Sequence, residues 1–286
     1  MNTIIIGAAR SGTNMLRDTL VKFNDFATWP CDEINYIWRY GLRDQKDDVF
    51  LPSHASKEKK EYIRKKFNWV RKKYNVRNVV EKTCANSLRV DYVNELVDDA
   101  KYVFIFRDPI DVVSSAEIRW KSKLDLKYTL DKARFIPVGD LPYYASNYLV
   151  NRMKKFFNRE KRLSYWGPKY QGFEKDAGAL SALEISAIQW LKSVEASEKS
   201  FLNMDPSKYI AVNYNDFVKS PETQLNKILN FLGYDLNEQE ISDSVKKVSS
   251  KSIGKGYDSL TKEEIKKVNA IVGNKYETLK NTFIND

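Results

Sequence analysis

Thr3-Ile4-Ile5-Ile6 runs directly into Gly7-Ala8-Ala9-Arg10-Ser11-Gly12-Thr13-Asn14, after which Met15, Leu16, Thr19, Leu20 and Phe23 recur at helical spacing. A β-branched run, a glycine-containing turn and a helical pattern, in that order, predict strand, anion-binding loop and helix. The glycines let the backbone curl, and successive N–H groups converge on an anion at the positive end of the helix. Arg10, Ser11, Gly12, Thr13 and Asn14 are the first candidate binding residues. Gly7 and Gly12 have the spacing of a nucleoside-triphosphate loop, but Thr13 and Asn14 stand where that loop carries Lys and Ser/Thr. Without the Lys for the outer phosphates and the hydroxyl for Mg²⁺, ATP or GTP chemistry lacks two of its parts. Arg10 puts the cation inside the loop instead.

A second anion motif follows the run Tyr102-Val103-Phe104-Ile105-Phe106, which ends in Arg107-Asp108-Pro109. The continuous apolar run suits a strand buried on both faces, and Pro109 suits a helix start. An Arg at the carboxyl end of a parallel strand stands where open α/β sheets bind ligands, and Ser115, two turns into the next helix, can face the same anion.

These residues carry a family resemblance. Gly7 to Asn14 resembles the 5′-phosphosulfate loop of sulfotransferases that use 3′-phosphoadenosine 5′-phosphosulfate, with Asn14 replacing the usual hydroxyl residue. Arg107 to Ser115 resembles that family's 3′-phosphate motif. Glu81-Lys82-Thr83-Cys84-Ala85-Asn86 resembles its E-K-T-P-x-N box, with Cys84 where Pro is usual. Tyr214-Asn215-Asp216-Phe217, Ser220-Pro221-Glu222 and Phe231-Leu232-Gly233 resemble its Y-E-D-L…P-E…F-L-G segment, with Asn215 replacing Glu. Gly254-Lys255-Gly256-Tyr257 resembles the flexible loop that closes over the nucleotide.

The resemblance spans residues 3 to about 272 and is weakest in 121–178. It implies an α/β fold, a P-loop-like three-layer sandwich whose central, mainly parallel sheet is flanked by helices, plus a helical insertion. It also implies 3′-phosphoadenosine 5′-phosphosulfate as donor, adenosine 3′,5′-bisphosphate as product, and no required metal. Arg107 and Ser115 would hold the 3′-phosphate, Tyr214 would approach the adenine, and Gly254, Lys255 and Tyr257 would lie in the covering loop.

Composition bounds the rest. The 286 residues carry 48 Lys+Arg against 38 Asp+Glu, a net charge of +10. A chain of this length can bury a full core as one α/β unit, and no Pro/Gly/Ser-rich linker divides it, so one domain over 1–286 is expected. Cys31 and Cys84 give no disulfide framework. No run approaches a membrane span, and the first strand begins by residue 3, leaving no room for a signal peptide. The expected location is cytoplasmic. A basic chain invites a nucleic-acid reading, but no zinc-finger spacing or RNA-binding aromatic motif is present, and a polyanionic donor already accounts for the charge.

The remaining pattern predicts helices over Lys57–Lys73 (with Ile63, Phe67, Val70 and Tyr74 on one stripe), Leu88–Val97, Leu180–Phe201, Glu222–Leu232, Glu238–Val248 and Lys262–Val272. It predicts strands over Asn78–Val80 and Tyr209–Val212. Alternating strands and helices argue for a sheet covered on both faces. Residues 121–178 hold thirteen Lys/Arg against six Asp/Glu, seven of the ten excess positive charges, with Tyr143, Tyr144, Tyr148, Phe156, Phe157, Tyr165, Trp166 and Tyr170. Such a segment suits an acceptor-binding insertion, in which rings stack on sugar faces and cations meet acidic groups. It equally suits a helical insertion whose aromatics are core.

Transfer to a hydroxyl needs a base. The one histidine, His54, matches no catalytic motif, which turns attention to carboxylates. Glu33, in Pro30-Cys31-Asp32-Glu33-Ile34-Asn35-Tyr36, is the candidate base, and bacterial and Golgi-type sulfotransferases resemble this layout; Asp32 is the adjacent alternative. Lys82, at a strand end beside the loop, and Arg10 would neutralise charge on the leaving and equatorial oxygens, so Glu33, Lys82 and Arg10 form the candidate catalytic set. The expected reaction is in-line displacement at sulfur by an acceptor hydroxyl, of a small molecule or glycan. A carbohydrate, glycolipid or other acidic hydroxyl compound fits the basic insertion. A kinase-like phosphotransferase and a non-catalytic nucleotide- or polyanion-binding protein are the alternatives.

Overall fold

The computed structural model describes residues 1–120, 134–157, 163 and 165–284. In chain order the elements are β1 (Asn2–Ile6), α1 (Thr13–Leu20), β2 (Phe26–Ala27), α2 (Asn35–Trp38), α3 (Lys57–Tyr74), β3 (Asn78–Lys82), α4 (Val90–Leu96), β4 (Ala100–Phe106) and α5 (Pro109–Trp120). There follow α6 (Leu141–Phe157), α7 (Phe173–Ala179), α8 (Ala182–Leu202), β5 (Tyr209–Asn213), α9 (Tyr214–Lys219), α10 (Pro221–Leu232), α11 (Glu238–Val245), α12 (Lys255–Ser259), α13 (Lys262–Val272) and α14 (Lys275–Phe283). The five strands form one sheet in the order β2-β3-β1-β4-β5, and every pairing is parallel.

Strand periodicity builds the layers. Ile4 and Ile6 of β1, with Phe104 and Phe106 of β4, face one core, which α3, α4, α8 and α13 close with Phe67, Val93, Trp190 and Val268. Ile5, Val103, Ile105 and Val212 face the other, closed by Leu16 of α1, Phe217 of α9 and Leu225 and Leu229 of α10. Alternate residues of one strand thus bury on opposite faces, which explains why these strands read as unbroken apolar runs.

Helix ends follow local chemistry. Ser181 and Glu184 form a reciprocal capping box on α8, Thr261 and Glu264 another on α13, and Gly233 ends α10 at φ 83°. Among the described residues, no helix is long and apolar enough to cross a membrane.

The expected helices and strands are present with shifted ends. Tyr74 does not belong to the buried stripe of α3: it is 40% exposed, because the helix stops at Asn75, where φ is 51° and the chain turns toward β3. The helix expected over Leu88–Val97 is a 3₁₀ turn (Cys84–Leu88) followed by α4. The two-residue β2, α2 and the terminal α14 were not anticipated, the first two because elements this short show no period. The segment expected as a covering loop at Gly254–Tyr257 is a docked helical turn, α12.

In the insertion, Tyr170 and Phe173 are buried with Leu163, Trp120 and Ile185 in a satellite core. There the aromatics are packing groups. Tyr143 and Tyr144 stand apart from it, Tyr144 edge-on to Tyr36 of α2 at 4.6 Å. The side chains of Tyr148, Phe156 and Phe157 lie outside the described residues.

Candidate functional site

All five strands point their carboxyl ends the same way, so the segments that follow them gather at one edge of the sheet. After β1 the loop presses on its neighbour: a Cβ at Gly7 would lie 2.4 Å from the Ile105 carbonyl oxygen. Arg10 and Gly12 both adopt positive φ, 71° and 95°, and the Ser11 amide closes the turn on the Ala8 carbonyl at 3.1 Å. No side chain caps α1. The Ser11 hydroxyl and the Asn14 amide oxygen are buried without a hydrogen-bond partner. Polar atoms left this way beside an uncapped helix N-terminus are ready to meet an anion; for Asn14, a half-turn of the amide presents its NH₂ donors.

Beyond β4, Arg107 is clamped. Its Nη2 donates to the Ser252 carbonyl at 2.5 Å and lies 3.3 Å from the Asp111 carboxylate, and its guanidinium covers the Tyr214 ring at 4.3 Å. Its Nε has no partner. Arg10 Nε donates to the Ser115 hydroxyl at 2.9 Å, so the loop cation reaches the second motif. Burial, then the charges of Arg119 and Arg107, pull the Arg10 guanidinium below its ordinary value, while Asp32 acts the other way. Arg10 thus joins the loop after β1 to Ser115 of the second motif, and its carbonyl accepts from Arg107 at 3.4 Å.

Asp111 orders the segment expected to cover the site. Its two oxygens accept the Gly254 N–H at 3.0 Å and the Gly256 N–H at 2.8 Å. A Cβ at Gly256 would come within 2.5 Å of the Ile110 carbonyl, so only glycine lets α12 sit this close to α5. Tyr257 donates to Asp108 at 3.1 Å, and Lys255 is exposed. The Tyr214 hydroxyl shares a hydrogen bond with Ser252 Oγ at 2.7 Å.

At the end of β3, Lys82 meets the carboxylates. Its ammonium donates to Glu33 Oε1 at 3.0 Å and to Asp32 Oδ1 at 3.2 Å, and the Cys84 amide approaches the same Glu33 oxygen at 3.4 Å. Asp32 is also paired with Arg17 at 2.7 Å. Burial would lower the Lys82 pKa, but the charges of Glu33 and Asp32 outweigh it and hold the ammonium protonated. Burial and the Glu33 charge push the Cys84 thiol up, so it stays a thiol.

Glu33, Lys82, Arg10, Arg107, Ser115 and Tyr214 are thus linked in one neighbourhood, and α12 brings Gly254 and Tyr257 against α5. His54 caps its own turn, its Nδ1 accepting the Leu51 amide at 2.9 Å. Sequence reasoning missed Asp111, Ser252 and Arg17. Asp111 had a readable signal, an acid four residues beyond Arg107 in the first turn of a helix; the other two come from elsewhere in the chain.

Comparison with known proteins agrees with this architecture. A sulfotransferase from Alicyclobacillus acidocaldarius superposes with a TM-score of 0.53 at 15% identity, covering 100% of this chain and 96% of that one. One from Mycobacterium avium gives 0.54 at 10%, covering 100% and 77%. The sulfotransferase domain of the olefin synthase of Synechococcus PCC 7002 gives 0.52 at 13%, covering 94% of each chain. At these identities the likeness is one of fold. No curated protein matches the chain. The sulfotransferase domain model matches residues 1–283, which is nearly the whole chain, and the chain therefore belongs to the sulfotransferase family.

Proposed function

We propose that this sulfotransferase takes its sulfuryl group from 3′-phosphoadenosine 5′-phosphosulfate and delivers it to an acceptor hydroxyl by in-line displacement, with Glu33 as the base. The observation that carries the proposal is the contact of Glu33 Oε1 with Lys82 Nζ at 3.0 Å, a base and a cation side by side at the mouth of the anion loop.

The residues present fit the donor. The unpartnered Ser11 hydroxyl and Arg107 Nε, the uncapped start of α1 and the Arg10–Ser115 link offer donors for two anionic groups. Arg10, Ser11, Gly12, Thr13 and Asn14 would hold the 5′-phosphosulfate, and Arg107 and Ser115 the 3′-phosphate. Tyr214, Gly254, Lys255 and Tyr257 would enclose the nucleoside. Bound there, the donor supplies an activated sulfuryl group with a phosphate as its leaving group.

Glu33 takes the proton of the attacking hydroxyl. Lys82 neutralises charge that develops on the leaving oxygen, and Arg10 with the loop N–H groups steadies the equatorial oxygens; preorganised donors of this kind are usually the largest catalytic contribution. Asp32 is the less apt base, because Arg17 and Lys82 both hold its carboxylate.

The acceptor we propose is a carbohydrate or glycolipid hydroxyl. Tyr36, three residues beyond Glu33, packs on Tyr144, and Arg43 lies over the Tyr143 ring at 5.9 Å, placing flat rings and a cation beside the base segment. Residues 121–178 are then the acceptor-binding insertion of a single domain over 1–286. Two free cysteines fit a reducing, cytoplasmic setting.

Labelled-donor transfer across glycans, lipids and phenols, read by mass spectrometry, tests the reading. E33Q should bind adenosine 3′,5′-bisphosphate as the wild type does and lose transfer by ~100-fold or more, while D32N loses much less. Tighter binding of ATP with Mg²⁺ would favour a phosphotransferase. Binding of the bisphosphate without transfer to any acceptor would favour a binding module.

A further inference from the structure

Glu81 is fully buried one residue before Lys82, and the transfer as proposed makes no use of it. Three donors converge on its carboxylate: Thr83 Oγ1 at 2.5 Å and Trp38 Nε1 at 3.2 Å on Oε1, and Asn86 Nδ2 at 3.0 Å on Oε2. Burying a carboxylate is costly, so one satisfied on both oxygens calls for a reason beyond packing.

The bonds lead toward Glu33. The Thr83 hydroxyl has one proton, and it goes to Glu81. Its lone pair is thereby turned to the backbone N–H of Ile34, which it accepts at 3.3 Å, and Ile34 is the residue after Glu33. On the other side of the carboxylate, Arg89 Nε donates to Asn86 Oδ1 at 2.9 Å and Arg89 Nη2 to Asn35 Oδ1 at 2.5 Å. Trp38, bound to Glu81, closes α2. The stretch from Ile34 to Trp38 is therefore tied at three points to a network centred on Glu81, while Lys82 and Cys84, flanking Thr83, contact Glu33 itself.

We infer that Thr83, oriented by Glu81, is a positioning residue for the sulfuryl transfer: its hydroxyl fixes the Ile34 amide and so holds the Glu33 carboxylate against Lys82. The inference rests on Glu33 being the base. A catalytic group must be held to within about half an ångström, and a misplacement of about 1 Å costs on the order of 100-fold. Thr83 is wholly buried.

T83V keeps the shape of the side chain and removes the hydroxyl. We expect kcat to fall about 10- to 100-fold, with donor KM and the affinity for adenosine 3′,5′-bisphosphate unchanged within about twofold. T83S, which retains the hydroxyl, should restore kcat to within about threefold. If T83V does not fold, T83A removes the same hydroxyl with less crowding and is held to the same expectation. In an E33Q background, T83V should cost nothing more, because the group it positions is gone. The inference is overturned if E33Q collapses transfer while T83V keeps wild-type kcat, or if T83V costs the same factor with and without Glu33. Full transfer by E33Q would overturn the base assignment itself, and the positioning role with it.

Discussion

Arg10 Nε donates to the hydroxyl of Ser115 at 2.9 Å, joining the loop after β1 to α5 across 105 positions of sequence. The bond lies at the point where the chain, having run out to β2 and β3, returns to place β4 on the other side of β1. Such switch points are where parallel sheets open a crevice. Arg10 is held at φ 71°, a backbone conformation costing a non-glycine residue on the order of 1 kcal/mol or more. In return, the guanidinium reaches from the loop after β1 to the Ser115 hydroxyl on α5.

Arg107→Ala should separate donor binding from chemistry. Arg107 is braced by Asp111, Ser252 and the Tyr214 ring, and its Nε is unpartnered, so it is ordered before any ligand arrives. Removing it should weaken adenosine 3′,5′-bisphosphate at least tenfold, about 1.4 kcal/mol or more, and leave kcat at saturating donor within a few-fold. Calorimetry at moderate salt reads the first and transfer kinetics the second. Ser115→Ala, which leaves the Arg10 charge but frees its direction, should cost less. Unchanged affinity in Arg107→Ala would remove the 3′-phosphate assignment.

Most of this framework is legible in the chain because it is local. The strand, turn and helix of residues 3–20, and Arg107 before Pro109, are encoded within a few neighbouring residues, and the apolar strands declare burial on both faces. What escaped is non-local. Nothing near Gly254 shows that Asp111, 143 positions earlier, will hold its amide and make a docked helical turn of a segment that resembles a loop. Likewise Glu81 and Thr83 read only as members of the box around Lys82, since their partners Trp38 and Ile34 come from the other side of α3 in sequence. Tyr74 has the right spacing for the buried stripe of α3 but falls at the last residue, where the chain turns away at Asn75.

Gly12→Ala tests the packing beneath the loop. At φ 95° an alanine is strained, and its Cβ would lie 2.4 Å and 2.7 Å from two ring carbons of Tyr214. That ring is buried under Arg107 and bonded to Ser252, so it has little room to yield. Left-handed strain and overpacking together should lower stability by about 2–4 kcal/mol. Because the displaced ring carries Arg107 with it, bisphosphate affinity should fall as well. Urea unfolding and calorimetry on the same protein check both. A stable variant with normal affinity would mean that Tyr214 plays no part in shaping the Arg107 site.

Glu81→Gln carries a pH signature. Burial lifts the Glu81 carboxyl from an ordinary value of 4.5 to about 7, against the bonds from Thr83 and Trp38 that favour the charged form. Between those two values the folded chain holds a proton that the unfolded chain releases. This group's contribution to stability is therefore full below about pH 4.5 and is lost as pH rises through about 7. Gln does not titrate. The stability of the wild type relative to Glu81→Gln should accordingly decline between about pH 4.5 and 7 and level off above. Taking the difference matters, because other groups run the opposite way: Asp48, though desolvated, is pulled down by Arg89 and Arg39, and on its own it raises stability with pH. Urea unfolding of both proteins at pH 5, 6, 7 and 8 measures the difference. A constant offset across the series would mean that Glu81 stays ionised in the fold, held by its three donors, and that burial does not govern its protonation.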